Sequence, residues 1–408
     1  MKVTRREFLK GVAVGGAALA VPEALRSVIH AAPAESIRIG FPAPLTGAFA
    51  DEANYMVQGA TLAVEEFNRA GGVLGRPVEL LVRDDRLSPD EGARRALELI
   101  ERERVHFLAG VLSAAVQLAV NEVAKRHRRI FVSTSQSDKI VMPPDFSPWT
   151  FHEALTPWMT STALARYVLR EGRGKRVYIL YADYAYGQEH TAAWRRVIGE
   201  VGATLVGVDP HPLGTTDYSA YLPKIVAARP DVLVLNNFGR DIVNSAKQAV
   251  ELGLKQRTQI AVPIIPTAAA MEAGPEVLGD VVCASSYWWE ILERIPKAKE
   301  FNTKFSRRFN RVPSDYAAYA YSGVRELLEA VQRTGTTDSD RVAKAMEGRR
   351  YAHYKDTQYW RVCDHQSVQT IFLLRGRERP RGPYGLFDIV ATVDGERVIP
   401  SCEALGHR

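Results

Sequence analysis

Cysteine is scarce in this chain: three residues among 408, Cys283, Cys363 and Cys402, with no CxxC spacing. Zinc ribbons and thioredoxin-like motifs need closely spaced thiols, so neither is indicated. The sequence also lacks GxSxG, HExxH, a P-loop and a GxGxxG turn after a strand. Those absences give no support to a hydrolase elbow, a zincin, a phosphate loop or a dinucleotide fold. No catalytic residue, metal or cofactor is expected. Low-complexity tracts and short repeats are missing too. Beyond the N-terminus no apolar run reaches the roughly 18 residues that suggest a membrane span.

What is present begins at the N-terminus, where Thr4-Arg5-Arg6-Glu7-Phe8-Leu9-Lys10 precedes the apolar run Gly11 to Val21. A charged front, a short apolar centre and small residues near Ala32-Pro33-Ala34 describe a cleaved leader. The paired arginines point to the twin-arginine route. Residues 1–34 are assigned to this leader, and the mature chain is expected in the periplasm. The leader holds Lys2, Arg5, Arg6, Lys10 and Arg26 against Glu7 and Glu23, so it removes three of the six net positive charges. The remaining excess does not argue for nucleic acid. In an oxidising compartment, one disulfide and one spare thiol is the simplest count. Cys283 lies in apolar Val281-Val282-Cys283-Ala284 and reads as a buried small hydrophobe. Cys363 and Cys402 both fall in an irregular C-terminal section, where a crosslink would close a loop worth about 4 kcal/mol.

The remaining length suits two domains. Short β-branched runs alternate with helix-period segments: Ile37 to Phe41, a helix near Tyr55 to Arg69, Val78 to Val82, a helix near Asp90 to Glu101, Val105 to Leu112, a helix near Ala114 to Lys125, and Ile130 to Val132. A second series follows Phe151-His152-Glu153. Its helices are expected near 160–170, 189–201, 218–228 and 242–252, and its strands near Val177 to Tyr181, Leu205 to Val208, Val232 to Leu235 and Ile260 to Ile264. Such alternation predicts parallel sheets covered on both faces. The helical stretch from Pro296 to Arg333 is expected to return to the first unit, so the chain crosses between units more than once and makes a hinge above a cleft.

Ligands bind beyond the carboxyl ends of such strands. Four loops stand there. Gly110 to Ala115 puts the Ser113 hydroxyl where a helix begins, and Ser133 to Ser137 is a hydroxyl cluster; helix-start amides and hydroxyls together suit a carboxylate. An N-cap and a self-satisfying turn explain the same residues without a ligand. From the second unit, Asp183-Tyr184-Ala185-Tyr186-Gly187 and Asn236-Asn237-Phe238-Gly239 bring aromatic rings that can grip a flat or apolar body, although core packing accounts for a lone tyrosine equally well. Tyr316, Tyr319 and Tyr321 stand at helical spacing. His106 and His127 lack metal-ligand spacing, and His152-Glu153 reads as hinge.

Pro44-Leu45-Thr46-Gly47, Ala63-Val64-Glu65-Glu66-Phe67-Asn68, Ala70-Gly71-Gly72-Val73-Leu74-Gly75, Asp84-Asp85, Asp183 to Gly187, Thr216-Asp217-Tyr218-Ser219 and Pro313-Ser314-Asp315-Tyr316-Ala317-Ala318-Tyr319 occur in this order. The chain thereby resembles the type I periplasmic solute-binding proteins of the branched-chain amino acid and amide ABC transporter family. That resemblance implies two doubly wound parallel-sheet α/β lobes joined by a three-strand hinge. The lobes are expected at 35–153 plus about 290–355, and at about 154–289 plus about 356–408. It implies ligand contacts from Ser113, from Ala114 where many members carry a second serine, from Ser135 to Ser137 for a carboxylate, and from Tyr186, Phe238 and Tyr316. Asp364-His365-Gln366 resembles a subgroup whose last strands return to the second lobe, and supports a Cys363–Cys402 pair.

One departure bears on the ligand. Amino-acid binders of this family place an acid after the last strand of the second lobe to hold the ammonium group, and here that segment reads Val262-Pro263-Ile264-Ile265-Pro266-Thr267. A buried ammonium without an anion is costly, which favours a hydrophobic or aromatic carboxylate. Asp51-Glu52 on the other side is the counterargument, with Glu52 the candidate contact. The expected protein is thus a monomeric substrate-binding component, not an enzyme, that hands a small carboxylate or branched-chain amino-acid-like solute to an ABC permease. An exported enzyme with an unrecognised site and a solute sensor feeding a receptor are the alternatives.

Overall fold

Strands with apolar side chains on both faces need cover on both faces, and the first lobe supplies it. In the computed structural model, which describes residues 35–170, 176–290 and 295–407, β1 (Ile37–Ala43), β2 (Val78–Asp84), β3 (Phe107–Gly110), β4 (Phe131–Ser133) and β5 (Thr150–His152) form a parallel sheet in the order β2-β1-β3-β4-β5. The leader predicted at 1–34 lies outside the described residues. Alternation along β3 and β4 sends Phe107, Ala109 and Val132 into one apolar cluster and Leu108 and Phe131 into another. The first cluster is roofed by α1 (Ala50–Arg69) and α10 (Asp315–Thr334), the second by α2 (Pro89–Glu101) and α3 (Ala114–Arg126). Gly59 lets the two roofing helices touch: a Cβ there would fall on the Ala317 carbonyl. The late helical stretch packs against α1 through α10, and is split into α9 (Pro296–Phe309) and α10 by Asn310 in the left-handed region, φ 53°, and by the Ser314 cap.

The second sheet runs β15-β14-β10-β9-β8-β6-β7, from β6 (Arg176–Ala182), β7 (Thr204–His211), β8 (Val232–Asn236), β9 (Gln259–Val262), β10 (Val282–Ser285), β14 (Ile371–Arg381) and β15 (Gly385–Val393). Strands β6 to β10 pair in parallel, and the β14–β15 hairpin adds antiparallel to β10. Its helices are α4 (Pro157–Arg170), α5 (Ala185–Val201), α6 (Leu222–Ala228), α7 (Arg240–Glu251) and α8 (Thr267–Leu278). All the helix starts expected in this lobe shift, those of α5 and α6 the most. The α5 helix begins four residues earlier, placing Tyr186 in its first turn. The α6 helix begins later, because the Tyr218 and Ser219 amides go to the side chains of Gln248 and Asp217, a local turn that competes with helix.

The C-terminal section is not irregular. Besides the hairpin it holds a small antiparallel sheet of β11 (Arg350–Tyr351), β12 (Gln358–Trp360) and β13 (Ser367–Val368). A Cys363–Cys402 disulfide ties the tail, and Cys283 is buried and free. The tail expected in the second lobe turns back to the first: Leu405 is buried in the cluster of Ile140 and Val141, and the His407 ring lies 5.0 Å from that of Phe146. Among the described residues no helix is long and apolar enough to cross a membrane.

Polar bonds join the crossings between lobes. Glu153, just after β5, accepts from the Tyr351 hydroxyl at 2.6 Å and from Gln358 Nε2 at 2.5 Å. Lys355 Nζ donates to the Ser286 and Thr370 carbonyls at 3.1 and 2.8 Å. Burial pushes the Glu153 carboxyl up to about 8 and Lys355 down to about 8.

Candidate functional site

Order reversal fixes where a doubly wound sheet opens. In the first sheet it falls between β1 and β3, and in the second between β6 and β8. The loops after these four strands, and the first helix turns that follow them, carry Phe49 and Glu52, Ser113, Tyr186, and Phe238. The two lobes are closed upon one another here. Phe49 of the first lobe meets Phe238 of the second with ring centroids 4.8 Å apart, edge to face. Phe238 in turn contacts Tyr316 of α10 at 5.5 Å and Tyr186 of α5 at 5.7 Å. Gly239 allows this approach: it has φ 57°, and a Cβ would stand 3.0 Å from Phe49 and 3.1 Å from the Ala48 carbonyl.

Ser113 sits at the N-cap of α3 and is buried, yet its hydroxyl makes no capping bond. The first-turn amides from Ala114 onward have no intrahelical acceptor, so this end offers donors to an anion. The turn that delivers it is held in a rare conformation, with Val111 at φ 67°. A β-branched residue at positive φ persists only where its surroundings over-determine it. Here they do. The Thr134 hydroxyl donates to the Val111 carbonyl at 3.0 Å, and the Ser135 hydroxyl to the Leu112 carbonyl at 2.7 Å.

That contact alters the expected part of the serine cluster. The Ser135 hydroxyl braces the Ser113 turn instead of standing free. The Ser137 hydroxyl donates across the lobes to Glu189 Oε1 at 3.0 Å. Glu189 also takes the Asp138 amide, and the Asp138 carboxylate takes the Trp158 amide at 2.9 Å. Burial and the neighbouring Glu189 push Asp138 up to about 8. His152, read as hinge, is wedged between Gln366 Oε1 and the Ser135 carbonyl, and burial lowers its pKa.

The cleft holds acid after all, although not where the family pattern puts it. Ile264, Ile265 and Thr267 are buried and uncharged, as their sequence requires. Glu52, in the first turn of α1, reaches the other lobe and accepts from the Ala268 amide at the N-terminus of α8. Burial raises its carboxyl to about 7, against the opposing pull of the α8 amides and Arg311. Beside it lies Asp315, the first residue of α10, which sequence reasoning quoted in a motif and assigned no role. It is 2% exposed, and its carboxylate oxygens have no side-chain partner, only the backbone amides of Asp315 and Tyr316 at the helix start. Burial, then the charge of Glu52, hold its carboxyl well above the usual range. The Tyr186 hydroxyl is equally unpartnered at 3% exposure. An acid following a Ser cap reads as dipole compensation, so only its burial distinguishes Asp315.

A family model described as periplasmic binding protein matches residues 36–380. The chain is 25% identical over 316 residues to Leu/Ile/Val-binding protein homolog 3 of Brucella melitensis, covering 76% of this chain and 83% of that protein. Its structure is similar to the amino acid ABC transporter substrate-binding protein of Pseudomonas fluorescens, with TM-score 0.85, 27% identity, and coverage of 92% of this chain and 99% of the other. It also shares its fold with a solute-binding protein of an ABC transporter from Rhodopseudomonas palustris solved with 3,4-dihydroxybenzoic acid, with TM-score 0.79, 24% identity and coverage of 88% and 98%.

Proposed function

The chain belongs to the periplasmic binding protein family, and from that premise we propose that it is the substrate-binding component of an ABC importer, working as a monomer. In this reading the leader with Arg5 and Arg6 exports the folded chain to the periplasm. There the open lobes take up a small solute, close over it, and present it to the membrane permease. The solute is a hydrophobic or aromatic carboxylate, or a branched-chain amino-acid-like acid. The observation that carries the reading is the meeting of Phe49, Tyr316, Tyr186 and Phe238, from both lobes, in one buried set. A solute held between them contacts both lobes, so binding favours the closed population.

The geometry suggests a division of labour. The Ser113 hydroxyl and the α3 amides from Ala114 onward receive the carboxylate. Ser135 braces that turn, Ser137 joins the lobes, and the aromatic rings pack against the apolar body. Isothermal titration with L-leucine, L-phenylalanine, phenylpyruvate and benzoate tests this, with micromolar or tighter binding of at least one expected. Binding of none overturns the assigned solute class.

A further inference from the structure

Two of the other buried acids meet cations, whereas Glu153 and Glu189 are held by neutral donors. Glu326 pairs with Arg349 at 2.9 Å, and Asp364 with Arg361. Asp315 meets none among the described residues, and Glu52 Oε2 is likewise without a hydrogen-bond partner. Arg311 acts on Glu52 from a position 3.5 Å from the Tyr55 ring centroid, with its Nε bonded to Gln58. It forms no ion pair with either acid among the described residues. The other groups around the pair are the amides of Ala268, Ala269, Asp315 and Tyr316, Ser314, four tyrosines and Cys283, none of them a cation. The unpartnered Tyr186 hydroxyl stands under the influence of Asp315 from the opposite lobe.

Two neighbouring carboxylates can both stay ionised in water, but not in a dry site. Closing the cleft takes both out of water, since Glu52 reaches the Ala268 amide only when the lobes are together. Protonation, or a positive group brought by the solute, then relieves the repulsion. We propose that Glu52 and Asp315 form a cation-binding subsite on the first lobe, and that a positively charged group on the solute is what permits the cleft to close. The inference rests on the reading that this cleft holds the solute. It makes that solute bipolar, with its carboxylate at the α3 end, its ammonium or similar group at the Glu52–Asp315 end, and an apolar body against the aromatic rings. A keto acid or benzoate leaves the carboxyl pair uncompensated, which reverses the preference suggested by the segment from Val262 to Thr267.

The test uses matched probes differing only at the amine: L-phenylalanine with 3-phenylpropanoate, and L-leucine with 4-methylpentanoate. Each is titrated calorimetrically into the purified, dialysed protein, and lobe closure is followed by small-angle X-ray scattering. The amine-bearing member of at least one pair should bind at least about 100-fold more tightly and alone contract the molecule. Asp315→Asn should abolish that advantage while leaving the deaminated acid unchanged or tighter. Glu52→Gln, with circular dichroism as a check on folding, should act in the same direction. Equal or tighter binding of the deaminated acids by the unmodified protein overturns the subsite and leaves the solute-binding reading intact. No binding of any probe overturns both.

Discussion

Glu153 at the crossings and Asp315 in the cleft share a chemistry and a depth of burial, but not their surroundings. Glu153 receives the Tyr351 hydroxyl from β11 and the Gln358 amide from β12, so its carboxyl has partners in place. Asp315 has no side-chain partner for either oxygen, only the amides at its helix start, and faces a second acid. Both carboxyls are held above the ordinary range by burial. Elevation alone therefore does not distinguish scaffold from site. What differs is whether the protein itself completes the hydrogen bonds, because a buried polar group left open is expensive unless something else fills it.

Substitution should separate the two sharply. Glu153→Ala strips partners from Tyr351 and Gln358 and leaves a void, so it should lower stability by about 3 kcal/mol in thermal unfolding. Solute affinity in the surviving protein should stay within a few-fold. A neutral outcome would mean that the crossings are not held by this network. Acidity offers a second contrast. With a folded value of about 8 against an ordinary 4.5, Glu153 keeps its proton in the folded state across a window where the unfolded chain has lost it. Its contribution is fully present below about 4.5 and lost as pH rises through about 8, at up to about 1.4 kcal/mol per unit. Lys355, lowered to about 8, has its window above that value. Glu153→Gln should flatten the fall in Tm between pH 5 and 8, and an unchanged slope would remove Glu153 from the account. The smallest effect is expected at the cleft. Asp315→Asn, free of solute, should leave stability equal or raise it by about 1 kcal/mol, because an acid facing a second acid is replaced by a neutral amide. A clear loss of Tm would instead make Asp315 a structural acid like Glu153.

The same contrast explains what could be read in advance. Alternating apolar strands and amphipathic helices announced both sheets, because burial on two faces leaves a pattern in sequence. Ser113 was placed correctly as a cap, but that its hydroxyl makes no capping bond depends on the Val111 turn, which no local pattern signals. The Ser133 to Ser137 cluster read either as hydroxyls facing a ligand or as a turn satisfying its own backbone. Its bonds to Leu112 and Glu189 join residues far apart in the chain, and only the fold brings them together. Asp315 was hidden for the opposite reason: an acid at the first position of a helix is so ordinary that burial alone reveals it. The C-terminal section misled through its arginines and glycines, which sit near the exposed tip of a hairpin whose arms belong to the second sheet.

Parallel calorimetric titrations of one amine-bearing probe into the unmodified protein, Asp315→Asn and Glu153→Gln address the central claim most directly. L-phenylalanine or L-leucine, whichever binds, serves as the probe. The account predicts that Asp315→Asn loses at least about 100-fold in affinity while Glu153→Gln stays within about threefold. Equal losses in the two variants, or a larger loss at Glu153, would contradict it.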